Sequence, residues 1–125
     1  MAQALINLYI ALVLLGGESM TGYAPRYDPG VMERVVARRH LPPAACNISS
    51  AYYGIGTELW VWSWNTKTLR LCRVADVSAG KDKARHQQTG RIIEASYTDA
   101  DWMCGRQHLN HRPEQCPVTV IRVNE

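Results

Sequence analysis

The sharpest alternation of apolar and polar positions lies in TELWVWSWNTKTLRLCRVAD, residues 57–76. Successive side chains of an extended strand point to opposite faces, so Trp60, Trp62 and Trp64 share one face and Leu59 and Val61 the other. Asn65 to Lys67 supplies the turn, and the return strand runs from Thr68 to about Ala75. With both faces of the outgoing strand apolar, this strand is either central in its sheet or meets a ligand through its tryptophans.

The rest of the chain is cut into short pieces. ESMTGYAPRY reads as a first strand with Tyr23 and Tyr27 as its large residues. Val31, Met32, Val35 and Val36 then recur at helical spacing. Asp28 is placed to cap this helix, Pro29 suits its first turn, and Arg38, Arg39 and His40 lie near its negative end. Residues 41–56 read as a long ordered loop with one short strand, in which Asn47-Ile48-Ser49 is formally a glycosylation acceptor. The polar, glycine-bounded SAGKDKARHQQTG, residues 78–90, predicts a surface loop. RIIEASY gives another short strand, Ser96 caps a helix through YTDADWMC that Gly105 ends, and CPVTVIRV closes the chain as a last strand. Many short strands with one or two short helices point to an all-β fold, a small closed β-barrel.

Length and charge narrow the classes. At 125 residues the chain holds one core, and 46% hydrophobic residues suit a globular domain. A net charge of +3 without a basic block falls short of a nucleic-acid footprint, so no nucleic-acid partner is expected. The run from Ala4 to Leu15 is shorter than the roughly 20 residues of a membrane span and resembles the core of a signal peptide. We therefore divide the chain into an apolar leader, 1–19, and a barrel domain, 20–125, and expect export to the cell envelope. A membrane contact follows only if the leader is retained as an anchor; as a retained arm it would support self-association.

Four cysteines, Cys46, Cys72, Cys104 and Cys116, form an even set in a small export-like chain and read as two disulfides. Three pairings are open to them, of which Cys46 with Cys72 and Cys104 with Cys116 is the expected one. His108 and His111 lie between the last two cysteines, but their spacing matches no zinc finger, and neither metal nor cofactor is expected.

Asp76 stands at the end of an apolar strand, just ahead of a small-residue turn. Such a strand end offers the desolvation that keeps a carboxyl protonated near neutral pH, as a general acid needs. The competing role is an Asx-type turn that accepts backbone N–H groups of Ser78 or Gly80. Asp99 and Asp101, in the first turn of the last helix, suit a structural role at its positive end. Tyr27 and Tyr53 are the best single aromatic platforms for a sugar ring. His86, near the Asp76 loop, is the histidine placed to touch a ligand.

Three segments, GYAPRY, LRLCRVADVSAG and GRIIEASYTDADWMCG, with the closing CPVTVIRV, resemble the double-psi β-barrel family of RlpA-like lytic transglycosylases, expansins and barwin. The resemblance runs from about Gly22 to Val123. It implies a six-stranded double-psi β-barrel, stapled here by disulfides, that acts on cell-wall polysaccharide such as peptidoglycan. It puts Asp76 at the acid tied to activity, and Arg91 and Glu94 at the family's arginine and acidic pair, Glu94 replacing the more common aspartate. Two features depart from the pattern. A helix occupies the region after the first strand where the family has its threonine and histidine, and Pro25 stands where a hydroxyl residue is frequent. The alternatives are a non-catalytic glycan-binding module of expansin or barwin type, and an assembly protein that uses the leader and the tryptophan face.

Overall fold

The computed structural model describes Gln3 and residues 18–105 and 116–123. The apolar run Ala4 to Leu15 and the pair His108 and His111 lie outside the described residues. Among the described residues, nine elements follow one another: β1 (Ser19–Tyr23), α1 (Val31–Arg38), β2 (Asn47–Ser50), β3 (Glu58–Ser63), β4 (Thr68–Val77), α2 (Gly80–Gln88), β5 (Ile93–Ala95), α3 (Asp99–Cys104) and β6 (Pro117–Arg122).

The strands form one curled, half-barrel sheet in the order β1-β6-β3-β4-β2-β5. β2 runs parallel to β4; the other neighbours are antiparallel. Two parallel bridges, Tyr23 with Arg91 and Arg26 with Ala95, bring the two edges of the sheet together. The Tyr27 amide extends this contact by donating to the Ala95 carbonyl at 2.8 Å. Gly22 makes the approach feasible: a Cβ there would lie 2.5 Å from the Gly90 carbonyl oxygen, closer than real Cβ atoms come.

The concave side holds the core. Ile48, Leu59, Val61, Val74, Ala95 and Val118 are fully buried there, and Ala100 and Met103 of α3 join the same cluster. Trp60 and Trp62 lie on the other face of β3, opposite Ile121 and Thr119 of β6. Trp62 is 1% exposed and meets Trp64 edge to face at 5.9 Å, so this strand is central and apolar on both sides.

Both disulfides pair as expected, Cys46 with Cys72 and Cys104 with Cys116. The first ties the loop before β2 to β4, and the second ties the end of α3 to the start of β6. Such bonds are compatible with an extracytoplasmic protein. Among the described residues no helix is long and apolar enough to cross a membrane.

Three local expectations need correction. The first strand ends at Tyr23, and Tyr27 lies beyond it. Asp28 does not cap α1 with its side chain; the N-cap is Gly30, in the left-handed region at φ 77°. Residues 80–88 form a helix rather than a loop. That helix has almost no apolar face for periodicity to detect, but its Lys, Ala, Arg and Gln residues are good helix formers. It is held to the sheet by buried His86 and by Gln87, whose Nε2 donates to the Ala51 carbonyl at 2.7 Å. The glycosylation triplet lies in β2 with Ser49 buried and Asn47 accepting from the Arg73 guanidinium.

Candidate functional site

A register shift builds the site. Along the parallel pair, Ile48 lies opposite Val74 and Ser49 lies opposite Asp76, so Ala75 is an extra residue on β4. Strict alternation from Cys72 and Val74 would turn Asp76 toward the core. The bulge re-aims it onto the side of Ser49. Because Ser49 also lies opposite Glu94 of β5, the three polar residues Asp76, Ser49 and Glu94 form one row across three strands. Two strand spacings put the outer members roughly 10 Å apart at their Cα atoms.

Side chains from three other segments close over this row. The Tyr27 hydroxyl donates to Asp76 Oδ2 at 2.8 Å. Arg39, one residue beyond α1, donates from Nη2 to Asp76 Oδ1 at 2.8 Å. α1 is fixed for this by Met32 and Val35, which are buried, and it ends as His40 takes a left-handed backbone. On the Glu94 side, His86 of α2 places Nδ1 2.7 Å from Ser78 Oγ and 3.5 Å from Glu94 Oε1.

The electrostatics follow from this packing. Burial pushes the Glu94 carboxyl above the usual carboxylate range; Arg91 pulls it back, and the charge of Asp76 pushes it further up. Burial lowers His86, and the cations Arg85 and Arg91 lower it more. Burial raises the Tyr27 phenol most; a contact with Ser49 opposes this, while the hydrogen bond to Asp76 and the charges of Glu94 and Asp76 add to it.

Tyr27, Asp76, Glu94 and His86, four of the residues singled out from sequence, therefore meet in one place. Tyr53 does not. Its hydroxyl donates to Glu18 Oε2 at 3.3 Å, and Arg122 lies over its ring. Tyr53 instead lines an open groove of about 200 Å³ with Ser50, Tyr52, Val77, Ser78 and Lys83, adjoining Asp76 along β4. The Ser78 amide, one of the two expected donors of an Asx-type turn, donates to the Ser50 carbonyl, and the Asp76 oxygens accept from Tyr27 and Arg39. Arg39 and Ser49 were not singled out. Arg39 sits in a basic helix end that the helix dipole explains equally well, and Ser49 becomes visible only through strand register.

A larger cleft of about 320 Å³ lies between α1 and the start of α3. Two acidic residues, Glu33 and Asp99, line it, and Asp99 is already engaged, accepting from Ser96 Oγ at 2.7 Å and from Trp102 Nε1 at 3.0 Å. Ser96 Oγ accepts in turn from the Asp99 amide and so ties down the turn that leads into α3, whose N-cap is Thr98. Among the described residues no group of three or more His, Cys, Asp or Glu side chains is placed to hold a metal ion. No protein-family model matches the chain, and no curated protein matches it.

Proposed function

We propose that the chain is an exported, RlpA-like double-psi β-barrel protein that acts on the glycan of the cell wall, with Asp76 at the centre of its site. The single observation that carries this reading is the convergence of Tyr27, Arg39, Ser49 and Glu94 on Asp76 at the end of an apolar strand. The parallel pairing of β2 with β4 and the parallel bridges between the sheet edges support the fold assignment. The two disulfides support export.

In lytic transglycosylation one carboxyl group suffices. It gives its proton to the leaving glycosidic oxygen as the C1–O bond breaks. The C6 hydroxyl of the same sugar then attacks C1 and returns its proton to the carboxylate, leaving an anhydro-sugar. In this reading Asp76 plays that part, with Glu94 as the second carboxyl. Both oxygens of Asp76 already accept hydrogen bonds, Oδ2 from Tyr27 and Oδ1 from Arg39. The same occupancy favours a second reading, a non-catalytic module of expansin or barwin type that binds glycan.

Mass spectrometry of purified peptidoglycan incubated with wild-type protein and with Asp76→Asn tests this directly. Anhydro-sugar products from the wild type, reduced about 100-fold or more in the variant, are expected. Retention on insoluble peptidoglycan without products would establish the binding module. Equal products from both proteins would remove Asp76 from the chemistry.

A further inference from the structure

We propose that Arg39 is a specificity determinant that reads a carboxylate carried by the glycan chain, exchanging its bond to Asp76 for one to the substrate. The inference builds on the glycan reading above.

A guanidinium presents five N–H donors in a planar fork suited to bidentate binding of a carboxylate. Among the described residues, Arg39 uses this fork once, from Nη2 to Asp76 Oδ1. Its side chain is 34% exposed whereas that of Asp76 is 18% exposed, so the rest of the fork lies on the solvent side of the pair. An incoming carboxylate can therefore meet Arg39 before it meets Asp76.

The surroundings favour an anion. Arg38 and His40 flank Arg39 at the exposed end of α1. Beyond Asp76, Val77 and Ser78 lead into the groove that Lys83 lines. Cations thus stand on both sides of the β4 end, while Tyr52 in the groove wall is 43% exposed and offers a ring for stacking. Neutral polysaccharide needs the rings but not the cations. A glycan with carboxylates, on the sugar or on an attached peptide, uses both. Once its carboxylate engages Arg39, Oδ1 of Asp76 is released from that bond.

Titration calorimetry with the full chain decides the matter, using three probes built on one peptidoglycan tetrasaccharide. The first carries its peptides, the second is peptide-free with free lactyl carboxylates, and the third is peptide-free with those carboxylates blocked as methyl amides. Wild-type protein should bind at least one carboxylate-bearing form about tenfold more tightly than the blocked form, the usual scale of one charge-assisted hydrogen bond. Arg39→Gln should abolish that preference. Preference for the second probe places the carboxylate on the sugar, and preference for the first alone places it on the peptide. Equal affinity of the wild type for all three probes, or an undiminished preference in Arg39→Gln, overturns the inference while leaving the glycan reading intact. Absence of binding to every probe overturns both.

Discussion

The two halves of the sheet solve the same problem in opposite ways. In the β1-β6-β3 half, the outward row is Thr21, Thr119 and Trp62, and its two hydroxyls are engaged within the row and by Trp64 of the hairpin. Thr21 and Thr119 share a hydrogen bond of 2.7 Å, and Trp64 Nε1 donates to Thr119 at 2.8 Å. In the β4-β2-β5 half, the outward row is Asp76, Ser49 and Glu94, and its partners come from α1, α2 and the segment after β1. The first half is completed by packing. The second gathers charge from distant parts of the chain, an arrangement that stability alone does not call for.

Substitutions separate the two halves by the size of their effect on stability. Trp62→Ala should be the most damaging, costing about 4 kcal/mol in urea unfolding, because a fully buried indole leaves a cavity that the sheet cannot fill. A cost below about 1 kcal/mol would mean that this half is not held by packing. Asp76→Asn should cost about 1 kcal/mol or less, since its partner Arg39 is well exposed and the pair is screened by solvent.

The finest distinction is in pH. The folded state raises Glu94 above its ordinary value of 4.5, so between that pH and the folded value the native protein holds a proton that the unfolded chain has released. Stability therefore falls as pH rises through this window, and the penalty is complete above it. Glu94→Gln should be more stable than the wild type at pH 7, with the difference vanishing below about pH 4. His86, lowered by the fold, acts with the opposite sign: the unfolded chain binds the proton first as pH falls through 6.5, so the native state loses stability on the acid side. Denaturant midpoints of the two proteins, compared across pH 4 to 8, isolate the Glu94 contribution. No gain at pH 7 would mean that Glu94 is solvated rather than buried.

How far each half was legible in the sequence follows the same division. The hairpin of β3 and β4, the closing strand and the two disulfides were readable, because alternation and cysteine parity are local signals. Helix α3 was readable from its bounds, and Gly105 does adopt a positive φ of 78°, but its N-cap is Thr98 where Ser96 was expected. Helix α2 was not, since only His86 of its nine residues is buried and hydrophobic periodicity has nothing to register. In the site, the acidic residues, Tyr27 and His86 could be nominated one by one by type and position. That Arg39 reaches Asp76 across 37 residues, or that Ser49 lies between the two carboxyl groups, depends on tertiary register. The resemblance to RlpA-like proteins pointed to Asp76 and Glu94 but had no counterpart for α1, which delivers Arg39.

Ala75, the extra residue on β4, means that the address of the carboxylate is written as a count and not as a chemical preference. Another small residue could stand at 75, which is fully buried, without moving Asp76 off its face, whereas a chain shorter by that one residue would keep every side chain of the site and still present the acid on the opposite face of the sheet. In such a fold, length variation in a buried strand is a more drastic edit to function than a change of residue type at the surface.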